Sequence, residues 1–160
     1  MTNHANLEDA LLLALEKFRG VCDKDGKPYV LHLLRVMLAT EHPEAQVAGV
    51  LHDIVEDTSV TLNDLRAYGF SERVIQIIDC LTHRSHDKYT EYIMRIKQDP
   101  LASICKLADL ADNYRLDRVA YRDGHTEQDS KRLQRYVLSY QFLRDKLDEP
   151  TYRRLMIPLE

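Results

Sequence analysis

One short segment of the chain concentrates side chains that could bind a metal ion or activate water. The stretch LHDIVEDT (51–58) carries one imidazole and three carboxylates, those of His52, Asp53, Glu56 and Asp57. At 100° per residue of an α-helix, these four side chains share one face, opposite an apolar stripe. Two interpretations are open here. The face could be solvated, as on most amphipathic helices, or it could hold a cation, because adjacent acids without a basic partner repel one another.

Two further polar side chains interrupt apolar helical stretches. His32 lies within YVLHLLRV (29–36), where a lone histidine is more often a hydrogen-bonded core residue than a ligand. Asp109 lies within ICKLADLAD (104–112), among small and apolar residues, and Asn113 follows one turn later on the same face. An unpaired buried carboxylate costs several kcal/mol, so Asp109 must be paired, protonated or bound to a metal ion.

These residues form a chemically coherent set. His32, the pair His52–Asp53 and Asp109 come from three separate predicted helices. Two imidazoles and two carboxylates suit a divalent first-row metal ion and leave coordination positions for water. Such an ion would offset the charge of the acids and could generate a nucleophilic hydroxide at neutral pH. The spacing alone leaves open whether the three helices converge.

The elements that must position these residues are predicted to be helices throughout. Apolar residues recur at helical spacing, Thr61 and Ser71 are placed as N-caps, and Gly69 is placed as a helix stop. The predicted helices cover about residues 7–18, 29–40, 43–57, 62–68, 72–81, 89–98, 100–119 and 127–147. Pro150 is expected to begin a short terminal turn. We therefore predict an all-α fold.

Composition and charge restrict the class of protein. The 160 residues are 44% apolar and 30% charged, which favours one globular domain with a sizeable core. We expect no membrane segment, because no apolar run approaches the ~20 residues that span a bilayer. Three cysteines without metal-ligand spacing favour a reduced, cytoplasmic setting. A net charge of −4 gives no basic surface for nucleic acid, and an anionic substrate would need a metal ion or local basic residues.

Three stretches, taken in order, resemble the HD-domain phosphohydrolase superfamily, and more closely the hydrolase domain of RelA/SpoT-type proteins and the small alarmone hydrolases. They are KDGKPYVLH (24–32), LHDIVEDT (51–58) and KLADLADN (106–113), and their order and separations also fit. The resemblance covers about residues 5–118. It implies a single HD hydrolase domain over residues 1–160, built as an all-α bundle of about seven to nine helices with a C-terminal helix near 127–147.

The resemblance also implies roles for single residues and a substrate. The implied metal ligands are His32, His52, Asp53 and Asp109, with manganese as the usual ion. Glu56 and Asp57 would position or activate the attacking water, Asn113 would contact the sugar-phosphate region, and Lys24 would lie near the base. The implied substrate is a guanosine nucleotide with a 3′-pyrophosphate and a 5′-di- or triphosphate, hydrolysed to release pyrophosphate.

Basic residues outside these stretches are further candidates. The loop LTHRSHDKY (81–89) could place Arg84 or Lys88 near a phosphate group, and we include Arg84 among the predicted substrate contacts. Lys106 is equally well explained as a surface residue whose stem covers apolar neighbours.

The chain departs from the family pattern around the shared stretches. The departures are Phe18, Val21, Leu33 and Leu110–Asp112, where LADN (110–113) replaces the ArgLeuHisAsn that is typical of the long alarmone enzymes. Two alternatives therefore stay open. The chain could be an HD phosphohydrolase that acts on another nucleotide or phosphorylated cofactor, or a nucleotide-binding sensor with little turnover.

Overall fold

The computed structural model describes residues 5–115, 117 and 124–160, and it confirms the all-α prediction. Within these residues the chain forms helices, and the single β-type contact is an isolated bridge between Cys22 and Pro28. The helices are α1 Leu7–Lys17, α2 Val30–Leu38, α3 Pro43–Leu51, α4 Ile54–Asp57, α5 Leu62–Tyr68, α6 Glu72–Leu81, α7 Tyr89–Lys97, α8 Pro100–Asn113, α9 Thr126–Leu143 and α10 Glu149–Met156, followed by a 3₁₀ turn at Ile157–Leu159.

Short polar side chains define where several helices begin and end. Asn6 and Thr61 form capping boxes with Asp9 and Asp64, so that each satisfies backbone N–H groups of the first helical turn. Gly69 ends α5 with φ 95°, a conformation that is costly for residues with a Cβ atom. The Ser71 side chain likewise accepts from the Val74 N–H at the start of α6. Thr61, Gly69 and Ser71 therefore act where the sequence pattern placed them.

Helix α3 lies in the middle of the core and packs against α1, α2, α6 and α8. Gly49 permits the close crossing with α2, because a Cβ atom at this position would lie 3.3 Å from Met37 Cα. Helices α2 and α8 also contact each other directly. The helices that carry His32 and Asp109 and the helix that leads into His52 therefore converge, which the sequence spacing left open.

The helix predicted over residues 43–57 is interrupted in its middle. Helix α3 ends at Leu51 and α4 begins at Ile54, with His52 and Asp53 in a turn between them. The helical wheel of a continuous helix therefore does not apply to this segment. His52 is only 3% exposed, so it is a buried residue and not part of a solvated face.

The helix predicted over residues 127–147 corresponds to α9, Thr126–Leu143, which begins one residue earlier and ends before the predicted residue. Asp145 adopts φ 57°, and the Lys146 N–H donates to the carbonyl oxygen of Gln141. This backbone bond closes the end of α9 in the manner of a Schellman turn. None of the described helices is long and apolar enough to cross a bilayer.

The segment after α9 also differs from the prediction. Pro150 does not begin a turn but occupies the first turn of α10, where its missing N–H costs nothing. Asp148 caps this helix by accepting a hydrogen bond from the Thr151 N–H. The helix predicted over residues 100–119 ends earlier, because α8 ends at Asn113 and Tyr114 is its C-cap. The predicted end of the motif-bearing region at residue 118 lies outside the described residues.

Candidate metal centre and substrate cavity

Four side chains from α2, the turn after α3, and α8 meet at one point. His32 Nε2 lies 3.3 Å from Asp109 Oδ1 and 3.9 Å from Asp53 Oδ2. His52 Nε2 lies 2.9 Å from Asp53 Oδ2 and 3.7 Å from Asp109 Oδ1. Ligand atoms of His32, His52 and Asp109 thus lie within 4.8 Å of one another, and Asp53 Oδ2 adjoins both histidine nitrogens. We call these four residues the His–Asp cluster.

The separations and chemistry of these atoms suit a metal ion. Two ligands about 2.1 Å from an ion and at a right angle to each other lie roughly 3 Å apart. His52 Nε2 is buried and has no hydrogen-bond partner within the part of the chain that the structure describes. Its Nδ1 lies 2.8 Å from the carbonyl oxygen of Gly49, which can only accept, so Nδ1 carries the proton. The lone pair of Nε2 therefore points into the cluster.

Asp109 is held by two neighbours on its own helix. Lys106 Nζ donates to Oδ2 over 2.7 Å, and Asn113 Nδ2 donates to Oδ1 over 2.5 Å. Although burial alone would raise the pKa of Asp109, the positive charge of Lys106 holds it well below its usual range. Lys106 is therefore a buried part of the site and not a surface residue.

An open cavity of about 440 Å³ lies in front of the His–Asp cluster. Its wall includes the predicted residues Lys24, Glu56, Asp57 and Asn113 together with the cluster residues Asp53 and Asp109. The Glu56 carboxylate is oriented by the His83 N–H, which donates to it over 3.0 Å. Burial and the neighbouring Asp53 and Glu56 carboxylates raise the pKa of Asp57 to about 6.

Lys24 and Arg84 differ in their relation to this cavity. Lys24 is presented by a tight turn, in which the Asp23 side chain accepts from the N–H groups of Asp25 and Lys27. Arg84 instead donates to Asp79 over 2.6 Å, and it is not among the described residues that line the cavity. The structure therefore brings Lys24, and not Arg84, next to the other predicted substrate contacts.

Several residues of the site were not predicted from the sequence. The Tyr29 hydroxyl donates to Asp53 Oδ2 over 2.5 Å, and Asp112 Oδ2 lies 2.6 Å from His32 Nδ1. Helix α9 adds Arg132 and Tyr136 to the cavity wall. Tyr29 lies inside one of the shared stretches and could have been noticed there, whereas nothing in the spacing along α9 connects it to the site residues on the earlier helices.

Comparison of the sequence with known proteins identifies several named relatives of this chain. No family model matches the chain. The chain is 31% identical over 144 residues to GTP pyrophosphokinase of Streptomyces coelicolor and 31% identical over 120 residues to guanosine-3′,5′-bis(diphosphate) 3′-pyrophosphohydrolase of Aquifex aeolicus. The matches cover 82% and 67% of this chain but 17% of each relative. The chain thus spans about one sixth of the length of these curated relatives.

A solved structure matches the chain over nearly its full length. It is described as a metazoan orthologue of SpoT that hydrolyses ppGpp, and it superposes with a TM-score of 0.73 at 23% identity, covering 98% of this chain and 96% of that one. This match confirms the HD-domain helical bundle. Together with the curated relatives, it shows that the chain is related to the HD-domain alarmone hydrolases.

Proposed function

We propose that this chain is a metal-dependent phosphohydrolase that removes the 3′-pyrophosphate of the guanosine alarmones ppGpp and pppGpp, giving GDP or GTP and pyrophosphate. The observation that carries the proposal is the His–Asp cluster at an open cavity whose wall also holds Glu56 and Asp57. The 3′-pyrophosphohydrolase of Aquifex aeolicus supports the choice of substrate. We also propose a cytoplasmic location, in keeping with three cysteines that form no disulfide.

The proposed cofactor is Mn²⁺, held by the His–Asp cluster. A divalent ion at this point would supply Lewis-acid polarisation of the phosphoryl group and would make water more acidic. Imidazole nitrogen and carboxylate oxygen are both ligands that manganese accepts. Ligand atoms of His32, His52 and Asp109 lie within 4.8 Å of one another, and Asp53 Oδ2 lies 2.9 Å from His52 Nε2.

Glu56 and Asp57 are the proposed groups that orient water and move its proton. Glu56 is fixed toward the cavity by the His83 N–H, so its second oxygen can accept a hydrogen bond from water. With a pKa of about 6, Asp57 is ionised in most molecules at neutral pH and still basic enough to take up a proton. This pair therefore suits general-base assistance of attack on phosphorus.

The proposed substrate contacts differ in their position relative to the cavity. Lys24 and Asn113 line the cavity and can meet a nucleotide that lies across it. Arg84 pairs with Asp79 and is not among the described residues that line the cavity, so we expect it to contribute least among the predicted contacts. The tyrosine rings of Tyr89 and Tyr136 on the same wall offer apolar surfaces for a base.

The test is a turnover assay with metal-free protein, run with Mn²⁺ and with EDTA. We expect pyrophosphate release from ppGpp only in the presence of the metal ion. Other phosphorylated nucleotides and cofactors are assayed in parallel. Turnover of one of these without turnover of ppGpp would refute the substrate, and tight ppGpp binding without turnover would favour a nucleotide sensor instead.

A further inference from the structure

A second buried carboxylate, that of Asp112, lies behind His32 on the side away from the cavity. Asp112 is 6% exposed, and its Oδ2 is 2.6 Å from His32 Nδ1. Arg35, one turn after His32 on α2, donates from Nε to Asp112 Oδ1 over 2.5 Å and from Nη2 to Oδ2 over 3.1 Å. Arg115 Nη1 lies 3.7 Å from Oδ1 as well. Asp112 therefore links α8 to both polar side chains of α2.

The hydrogen-bonding capacity of these groups dictates where the imidazole proton lies. A guanidinium has five donors and no acceptor, and it stays charged at any pH at which the protein is folded. Paired with Arg35, the Asp112 carboxylate is ionised and can only accept hydrogen bonds. His32 Nδ1 must then be the donor. Its Nε2 faces Asp109 Oδ1 at 3.3 Å, in the His–Asp cluster.

We propose that the Arg35–Asp112 pair fixes the orientation of the His32 ring and the position of its ring proton, which makes Asp112 a positioning residue for the metal centre. The inference rests on the metal site of the proposed function. Carboxylates that orient metal-binding histidines typically change metal affinity when they are removed. Asp112 is one of the positions where this chain departs from the family pattern, so its role follows from this structure and not from the resemblance.

A purely structural ion pair between α2 and α8 is the alternative, and Asp112→Asn distinguishes the two. Because Arg35 only donates, the new carboxamide should turn its oxygen toward Arg35 and its NH₂ group toward His32. Nδ1 would then have to accept, which moves the ring proton to Nε2 and removes the lone pair from the cluster. Adding Arg35→Leu frees the carboxamide to turn round and accept from Nδ1 again.

The experiment is calorimetric titration of metal-free protein with Mn²⁺. We expect Asp112→Asn to bind Mn²⁺ about 10–100-fold more weakly than the wild type. The double variant Arg35→Leu/Asp112→Asn should bind more tightly than Asp112→Asn alone, although it has lost more of the ion pair. Asp99→Asn is the matched control. It neutralises the carboxylate of the α8 N-cap residue, which is paired with Arg73 and is not among the described residues that line the cavity, and it should keep the wild-type Kd.

The outcomes separate this inference from the metal site itself. If the wild type does not bind Mn²⁺, the metal site and the inference are both refuted. If the wild type binds and Asp112→Asn binds with the same Kd, or if the double variant binds no more tightly than Asp112→Asn, the positioning role alone is refuted. Nitrogen-15 NMR of the wild type loaded with diamagnetic Zn²⁺ needs no variant to fold. We expect a proton on His32 Nδ1, and its absence would overturn the inference.

Discussion

Lys106 balances the charge of the acids in the His–Asp cluster, and Lys106→Met removes that charge while keeping most of the side-chain length. Lys106 Nζ is 2.7 Å from Asp109 Oδ2, and the two side chains are 12% and 7% exposed. Breaking a buried ion pair by removing one partner costs about 3–5 kcal/mol, because the other charge stays buried. Asp109 also accepts a hydrogen bond from Asn113, so we expect the lower value, about 3 kcal/mol, in metal-free protein.

Mn²⁺ should reduce this loss of stability, because an ion beside Asp109 replaces part of the missing positive charge. A substitution that destabilises the metal-free form more than the metal-bound form must, by linkage, also strengthen metal binding. We therefore expect Lys106→Met to lower the melting temperature by about 6–12 °C in EDTA. With saturating Mn²⁺ the shift should fall to about half of that value.

Urea unfolding of the wild type and Lys106→Met, each in EDTA and in Mn²⁺, measures these four free energies of unfolding. Lys131→Met is the control, since Lys131 forms an exposed pair with Glu127 on α9 and should change neither value measurably. If Lys106→Met lowers the free energy of unfolding equally with and without Mn²⁺, a metal ion does not replace the positive charge of Lys106 beside Asp109. The account of the cluster's electrostatics would then be wrong.

Three further substitutions test separate parts of the molecule. Glu56→Gln should leave the Mn²⁺ Kd unchanged but lower kcat for pyrophosphate release by about 100-fold or more; an unchanged kcat would exclude Glu56 from the chemistry. Asp99→Asn should destabilise the protein by about 1–2 kcal/mol at pH 7. Because Arg73 lowers the folded-state pKa of Asp99, the stabilisation is complete above the unfolded pKa of about 4 and is lost as the pH falls below it. In urea titrations, the free energies of unfolding of the wild type and Asp99→Asn should therefore differ at pH 7 and converge at lower pH. Gly49→Ala should cost about 1–3 kcal/mol, since its Cβ would meet Met37 Cα at 3.3 Å; a wild-type melting temperature would show that α2 and α3 can move apart freely.

The helices were predictable because local signals agree with the fold. The apolar residues of α6 recur at helical spacing, and they are buried where that spacing requires. Capping residues such as Thr61 act within four residues of their partners, so the sequence contains the whole interaction. The residue types of the His–Asp cluster were also predictable, because a polar group within an apolar helical stretch needs a partner.

The break between α3 and α4 was not predictable from local sequence. Neither glycine nor proline marks the turn at His52 and Asp53. The turn instead coincides with tertiary contacts, in which Tyr29 donates to Asp53 and the His52 ring packs against His32. Such contacts join residues that lie far apart in the chain, and a periodic pattern within one segment does not record them.

The contacts around the His–Asp cluster were unpredicted for the same reason. The Asp112–His32 contact joins residues 80 positions apart, and the cavity wall receives Arg132 and Tyr136 from α9. Lys106 was equally well explained as a surface residue, but its ammonium group lies over the Tyr92 ring of α7 and pairs with Asp109. Sequence reasoning therefore identified which residues could bind a metal ion, but not which residues hold them in place.

Hydrolysis at the 3′-pyrophosphate is tested most directly by identifying the products formed from ppGpp by metal-free protein to which Mn²⁺ is restored. Phosphorus-31 NMR distinguishes the possible products without a coupled enzyme. The proposed reaction predicts GDP and pyrophosphate in equal amounts, with no product in EDTA. Release of orthophosphate, or intact ppGpp after prolonged incubation with Mn²⁺, would contradict it.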